Sequence, residues 1–246
     1  MEFENQPLGE NMIGPIGILM PNVSITRLPG DVGNPDSFDC PALFHVVDEV
    51  TEVRNVVNHQ VSEEILKSYL SGALRLQERG ATVITTTCGF LSVLQSEISS
   101  KLRIPFVASS LLQVPLVYAL TLKPVCIVTA DASVLSTNHL QSAGIGEIPV
   151  VVRGLEEFEE FSGSVLRPSQ AVEFESIRRI MESVTQESIH SNPDIGSFVF
   201  ECHNLAPYRS AVQIATHRPV FDIISLVTMI AHATEYLSLE QRVLDS

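Results

Sequence analysis

Cys88 and Cys202 each close a short apolar run. Val83-Ile84-Thr85-Thr86-Thr87-Cys88 leads into Gly89-Phe90-Leu91, and Ser197-Phe198-Val199-Phe200-Glu201-Cys202 leads into His203-Asn204-Leu205. Pro105 follows the first cysteine by 17 residues and Pro219 follows the second by 17, and each opens a new apolar stretch. This echo predicts a strand, a cysteine, a helix and a Pro-led strand used twice, with one thiol from each copy. A cysteine at the first turn of a helix sits near unpaired N–H groups and the positive end of the helix dipole, both of which favour thiolate. The same N–H groups, on Gly89, Phe90, His203 and Asn204, can hold a substrate carboxylate, and Gly89 has no side chain to keep a ligand away from the backbone. Two thiols facing one ligand can do chemistry that one cannot.

Simpler readings compete at each position. A single strand-end cysteine is more often a small buried hydrophobe than a reactive group, but packing gives no reason for two at equivalent points of a repeat. Cys126, inside Val125-Cys126-Ile127-Val128, reads as a structural core thiol, and Cys40 sits in a Pro-flanked loop without a pattern. Cys202 beside His203 could contribute to zinc, yet no ordinary ligand spacing accompanies them. A Cys-His nucleophilic pair conflicts with the tendency of adjacent residues at a strand end to point apart, and His203 also fits a solvated helix start. Neither a dinucleotide fingerprint nor a phosphate-binding Gly-Lys loop is present. Glu156-Glu157-Phe158-Glu159-Glu160 reads as a solvated surface segment.

The surrounding elements must deliver both cysteines to one place. Ile16-Gly17-Ile18-Leu19-Met20 is a first strand, followed by an irregular stretch through Pro29-Gly30-Asp31, Gly33-Asn34-Pro35 and Pro41. Loops of that length inside compact domains usually carry function. Phe44 to Val47 reads as a strand and 61–79 as an amphipathic helix stopped by Gly80. Then come strand 83–87, helix 89–102, strand 104–108 and strand 125–129. Helix 138–143, strand 150–152, helix 168–190 with Pro168 near its start, strand 197–202, helix 206–216, strand 219–223 and helix 225–237 follow. Uniformly apolar strands alternating with helices predict parallel sheets covered on both faces, as two α/β units of about a hundred residues each. Ligands of such sheets bind beyond the carboxyl ends of the strands, where both cysteines fall.

At 246 residues and 45% hydrophobic content the chain can bury a full core. A net charge of −14 with 15 scattered basic residues argues against a nucleic-acid surface. No apolar run reaches transmembrane length, Met1 to Gln6 does not resemble a secretory signal, and four cysteines without CxxC pairs suit a reducing compartment. The expectation is a cytoplasmic protein with no membrane or nucleic-acid partner.

At these residues the sequence resembles the aspartate/glutamate racemase superfamily, which includes hydantoin racemases, maleate isomerases and arylmalonate decarboxylases. Gly17 to Met20, Pro29 to Pro35, Thr86-Thr87-Cys88-Gly89-Phe90-Leu91, Ser109 to Pro115, and Glu201-Cys202-His203-Asn204-Leu205-Ala206-Pro207-Tyr208 carry the resemblance in family order. It implies two pseudo-symmetric Rossmann-like (flavodoxin-like) domains, 1–121 plus 219–246 and 122–218, with the active site between them. It also implies a cofactor-independent racemase or epimerase without pyridoxal phosphate or metal. In that scheme Cys88 and Cys202 exchange the proton on a carbon beside a carboxylate, and Pro21, Asn22, Thr87, Gly89, Phe90, Thr129, Ala130, His203 and Asn204 surround the substrate. Thr129 fits either a carboxylate-binding role or a cap of the following turn. Arg27 and Arg54 could meet a distal carboxylate, although surface placement is the simpler expectation for both. His203 stands where relatives more often carry Thr, and Met20-Pro21-Asn22 stands where they often carry an acid, so an ordinary acidic amino acid is not implied. Related readings are a maleate-type isomerase, an arylmalonate-type decarboxylase, against which Cys88 counts, and a non-catalytic carboxylate-binding protein. A homo-oligomer is compatible with all of them.

Overall fold

The computed structural model describes residues 13–51, 61–167, 169 and 171–234. The first half holds β1 (Ile16–Pro21), β2 (Ala42–Val47), α1 (Glu63–Glu78), β3 (Val83–Thr86), α2 (Gln95–Ser99), β4 (Phe106–Val107) and α3 (Val114–Thr121). The second holds β5 (Val125–Thr129), α4 (Thr137–Ser142), β6 (Val150–Gly154), α5 (Glu159–Phe161), α6 (Phe174–Ser191), β7 (Ser197–Phe200), α7 (Arg209–Thr216), β8 (Val220–Phe221) and α8 (Ile223–Ala233).

Two four-stranded sheets result, ordered β2-β1-β3-β4 and β6-β5-β7-β8, with every pairing parallel. The identical order makes β3 the counterpart of β7 and β1 the counterpart of β5. In each sheet the order reverses direction between those central strands, leaving a crevice beyond their carboxyl ends. Their residues are apolar and buried because helices cover both faces. Tyr69, Ala73 and Leu76 of α1 pack with Leu19 and Ile84, and Ile177, Met181 and Val184 of α6 pack with Cys126, Val128 and Phe198. Burying one such large side chain contributes about 2 kcal/mol. Cys126 is the fully buried core thiol expected of it.

The return of the chain occurs later than the boundary at 219. β8, expected in the first domain, hydrogen-bonds to β7 of the second sheet, and α8 then crosses over. Ile223, Leu226, Val227 and Ala231 bury against Ile16, Ile18 and Val83 of the first sheet. Asp222 fixes that crossing, since its carboxylate accepts from Ser225 N–H at 2.8 Å and its carbonyl accepts from the Gln113 amide at 2.8 Å.

Neither cysteine is followed directly by an α-helix. Gly89–Leu94 and His203–Tyr208 are 3-10 turns, with Cys88 and Cys202 as their N-caps, and the α-helical segments start at Gln95 and Arg209. Helix α6 begins at Phe174, and Pro168, expected near its start, lies outside the described residues. Arg54 and residues 235–237 of the expected last helix lie outside them too.

Candidate active site

Both cysteines line one cleft between the halves. Its floor comes from four strand ends: Pro21 at the end of β1, Thr87, Cys88 and Gly89 after β3, Ala130 after β5, and Glu201, Cys202, His203 and Asn204 after β7. The long loop after β1 closes one wall with Val23, Ile25 and Arg27, while Val165 and Leu166 close another. The expected functional loop therefore supplies three wall residues.

The loop is clamped by Asp31, which is 2% exposed. One carboxylate oxygen accepts from Gly33 N–H at 2.7 Å and faces Arg27 at 3.3 Å, and the other accepts from Asn204 Nδ2 at 2.8 Å. Gly30, at φ +91°, brings the loop against Pro207, a conformation that a side chain would strain. Arg27, expected at the surface, is instead pinned at the cleft and donates to Thr87 Oγ1 at 3.4 Å. A charged fork held this way presents fixed donors to an anion.

The thiols differ in their surroundings. Backbone N–H groups of Phe90 and Leu91 point at the Cys88 sulfur, and the Arg27 charge also favours its thiolate. Burial and the Glu201 carboxylate outweigh them, pushing the Cys88 pKa up to about 12. Cys202 is raised still more clearly, first by burial and then by Glu201, with one backbone donor, Asn204 N–H, in opposition. Its sulfhydryl also faces Asn204 Oδ1 at 3.9 Å as a donor. The expectation that the helix starts would lower both thiol pKa values is thus overturned. The N–H groups pull in that direction, but removal of water from the charged form is the larger effect.

Three expected site residues have other duties. Asn22 is exposed and points its amide at Asp48, away from the cleft. Thr129 does not line the cleft, because its buried hydroxyl donates to Glu201 Oε2 at 2.7 Å. His203 lines the cleft but is not a solvated helix start, being 1% exposed. Its Nδ1 pairs with the Thr86 carbonyl at 2.9 Å and its Nε2 accepts from Ser110 N–H at 3.4 Å. That pairing fixes a neutral imidazole across the two halves, and burial brings its pKa down to about 4.

Glu201 is the group that sequence reading passed over. It is fully buried beside both thiols, and burial raises its pKa to about 7 even though Thr129 and Ala130 N–H favour the charged form. A carboxylate ending an otherwise apolar strand was the available signal. Among the described residues no cluster of three His, Cys, Asp or Glu side chains could hold a metal ion, and no helix is long and apolar enough to cross a membrane.

No family model matches the chain. A dimethylsulfoniopropionate lyase from Durusdinium sp. clade D is 30% identical over 205 residues, covering 80% of this chain and 67% of that protein. Dimethylsulfoniopropionate lyase 6 of Emiliania huxleyi (strain CCMP1516) is 27% identical over 224 residues, covering 83% of this chain and 57% of the relative. The chain thus spans about six-tenths of the length of these relatives. Among solved structures, unliganded arylmalonate decarboxylase superposes with TM-score 0.59 at 15% identity, over 90% of this chain and 92% of that one. The aspartate racemase of Picrophilus torridus gives TM-score 0.56 at 12% identity, over 91% and 94%. At those identities the likeness speaks for the fold, and the sequence relatives speak for descent: the chain belongs to the dimethylsulfoniopropionate lyase family, built on the fold of the aspartate/glutamate racemase superfamily.

Proposed function

We propose that the chain is a lyase that eliminates dimethyl sulfide from dimethylsulfoniopropionate or a closely similar sulfonium carboxylate, using Cys88 as base and Cys202 as its protonated counterpart. The observation that carries this reading is the meeting of one thiol from each half in a single, largely apolar cleft. The substrate class comes from the sequence relatives. Racemisation and β-elimination share a first demand, removal of a proton from the carbon beside a carboxylate. The substrate carboxylate is held by Arg27 at the cleft wall, which also stabilises charge that develops as the proton leaves. Cys88 thiolate takes the α-hydrogen and forms S–H, the released electron pair forms the Cα=Cβ bond, and the Cβ–S bond breaks. The sulfonium leaves as neutral dimethyl sulfide, and acrylate remains. Thiolate is assigned to Cys88 because it has two backbone donors and Arg27, whereas Cys202 directs its proton at Asn204.

Gas-phase detection of dimethyl sulfide from purified protein tests this directly. Cys88→Ser should abolish release, and Cys202→Ser should lower it by at least about tenfold, within the range of a positioned acid–base group. Unchanged release in Cys88→Ser, or none from the intact protein, would overturn the reading. The matched thiols also fit a two-base racemase. Exchange of an α-hydrogen with deuterated water on a chiral carboxylate, with inversion and no elimination, would favour that second reading.

A further inference from the structure

We infer that Glu201 is the proton acceptor for Cys88, exchanging the thiol proton through its free carboxylate oxygen. Three observations converge. Glu201 Oε2 is occupied by the Thr129 hydroxyl, while Oε1 is buried and has no hydrogen-bond partner. That free oxygen lies against Gly89, the residue after Cys88, so closely that a β-carbon on Gly89 would overlap it and the Glu201 carbonyl. The carboxyl also lines the cleft and acts electrostatically on both sulfurs. A buried oxygen without a partner is costly, and such an orphan calls for an explanation. An O–H formed on Oε1, facing a thiolate formed opposite, supplies one.

This inference rests on the elimination reading, which gives it a purpose. Racemisation returns every proton it removes, so two thiols suffice. Elimination from a zwitterionic sulfonium carboxylate to acrylate and dimethyl sulfide releases one proton per turnover, and that proton ends on Cys88. Its S–H bond must break again before the next cycle. Transfer to Glu201 breaks S–H and forms O–H, and the carboxyl then loses the proton through the cleft to solvent when product leaves. The carboxyl's raised pKa, near 7, suits a group that must both accept and release a proton near neutrality. The titratable and charged groups around it and the thiols are Arg27 and Asp31 of the loop, Tyr69 of α1, Cys88 after β3, and Cys202, His203 and Tyr208 after β7.

Alkylation by iodoacetamide, followed at Cys88 by mass spectrometry across pH, tests the pairing without any substrate. Because a coupled pair loses its first proton jointly, the intact protein should show a reactivity rise centred near 7 and then a plateau. Glu201→Gln should lose that rise, retaining only reactivity that climbs at alkaline pH, and Glu201→Asp should retain it. In dimethyl sulfide release, Glu201→Gln should lower kcat by about 10²- to 10³-fold and remove the acidic limb of its pH profile. An alkylation profile identical in Glu201→Gln and intact protein overturns the inference. An altered alkylation profile in a protein that releases no dimethyl sulfide would sink the substrate reading and leave the proton pairing standing. If Glu201→Gln does not fold, the Asp variant and the carboxyl infrared band of the intact protein decide: the absence of a band titrating near 7 overturns the pairing.

Discussion

Two similar helix starts hold cysteines in unequal states because their neighbours differ. Cys88 gathers two backbone donors and the field of Arg27, whereas Cys202 has one donor and points its proton at an amide oxygen. Glu201 acts electrostatically on both, and the Thr129 hydroxyl is the side-chain group that favours its charged form. Thr129→Val keeps the shape and removes that donor, so the carboxyl pKa should move upward from about 7. The acidic limb of activity should follow it to higher pH while the alkaline side stays in place, a change read from the kcat profile. A fixed limb would show that another group produces it. Residue by residue, the two thiols were legible because they repeat. Glu201, Arg27 and the true role of Thr129 were not: a charge at a strand end reads as a solvated cap until a second domain is laid over it, and an irregular loop has no periodicity to reveal which side chain turns inward.

At the level of elements, the strands were legible as continuous apolar runs because parallel sheets covered by helices leave them no solvent face. Helix type was less so. Over six residues, the hydrogen-bond spacing of a 3-10 turn and an α-helix gives nearly the same apolar pattern, so the sequence predicts α-helix from 89 and from 206. The change matters because each tight turn aims its early N–H groups at the preceding sulfur. The crossover at Asp222 is equally hidden, since a two-residue strand and a helix start only three residues apart serve different sheets. Asp222 is 1% exposed, accepts from Ser225 N–H and faces Arg209 at 3.2 Å. Asp222→Ala should therefore cost about 1–3 kcal/mol in urea unfolding, the sum of a lost cap and a half-exposed charge pair. Asp222→Asn, which can still cap Ser225, should cost less than half as much. Equal losses in the two variants would mean that the cap does not anchor α8.

Across the whole molecule, the two halves are tied by hydrogen bonds that cross the cleft: Asn204 to Asp31, His203 to Thr86 and Ser110, and the Ser110 hydroxyl to the Phe200 carbonyl. Such ties hold the two halves together, and they place titratable groups where folding changes their proton affinity. Glu201 goes from an ordinary 4.5 to about 7 on folding, so from pH 4.5 to 7 the folded chain binds more protons than the unfolded one. Its contribution is present below 4.5 and is lost as pH rises to 7. His203 goes from 6.5 to about 4, so between those values the unfolded chain binds more protons. Its contribution is present above 6.5 and is lost as pH falls to 4. Each amounts to about 3 kcal/mol, with opposite slopes that nearly cancel from pH 4.5 to 6.5. Urea unfolding of the intact protein should therefore show nearly level stability through that window as far as these two groups govern it. Glu201→Gln removes one slope, so its stability should climb by about 2 kcal/mol between pH 4.5 and 6.5. A parallel, equally level curve for the variant would mean that the carboxyl is not held protonated in the folded state, and the proton exchange argued for Cys88 would lose its donor and acceptor at once.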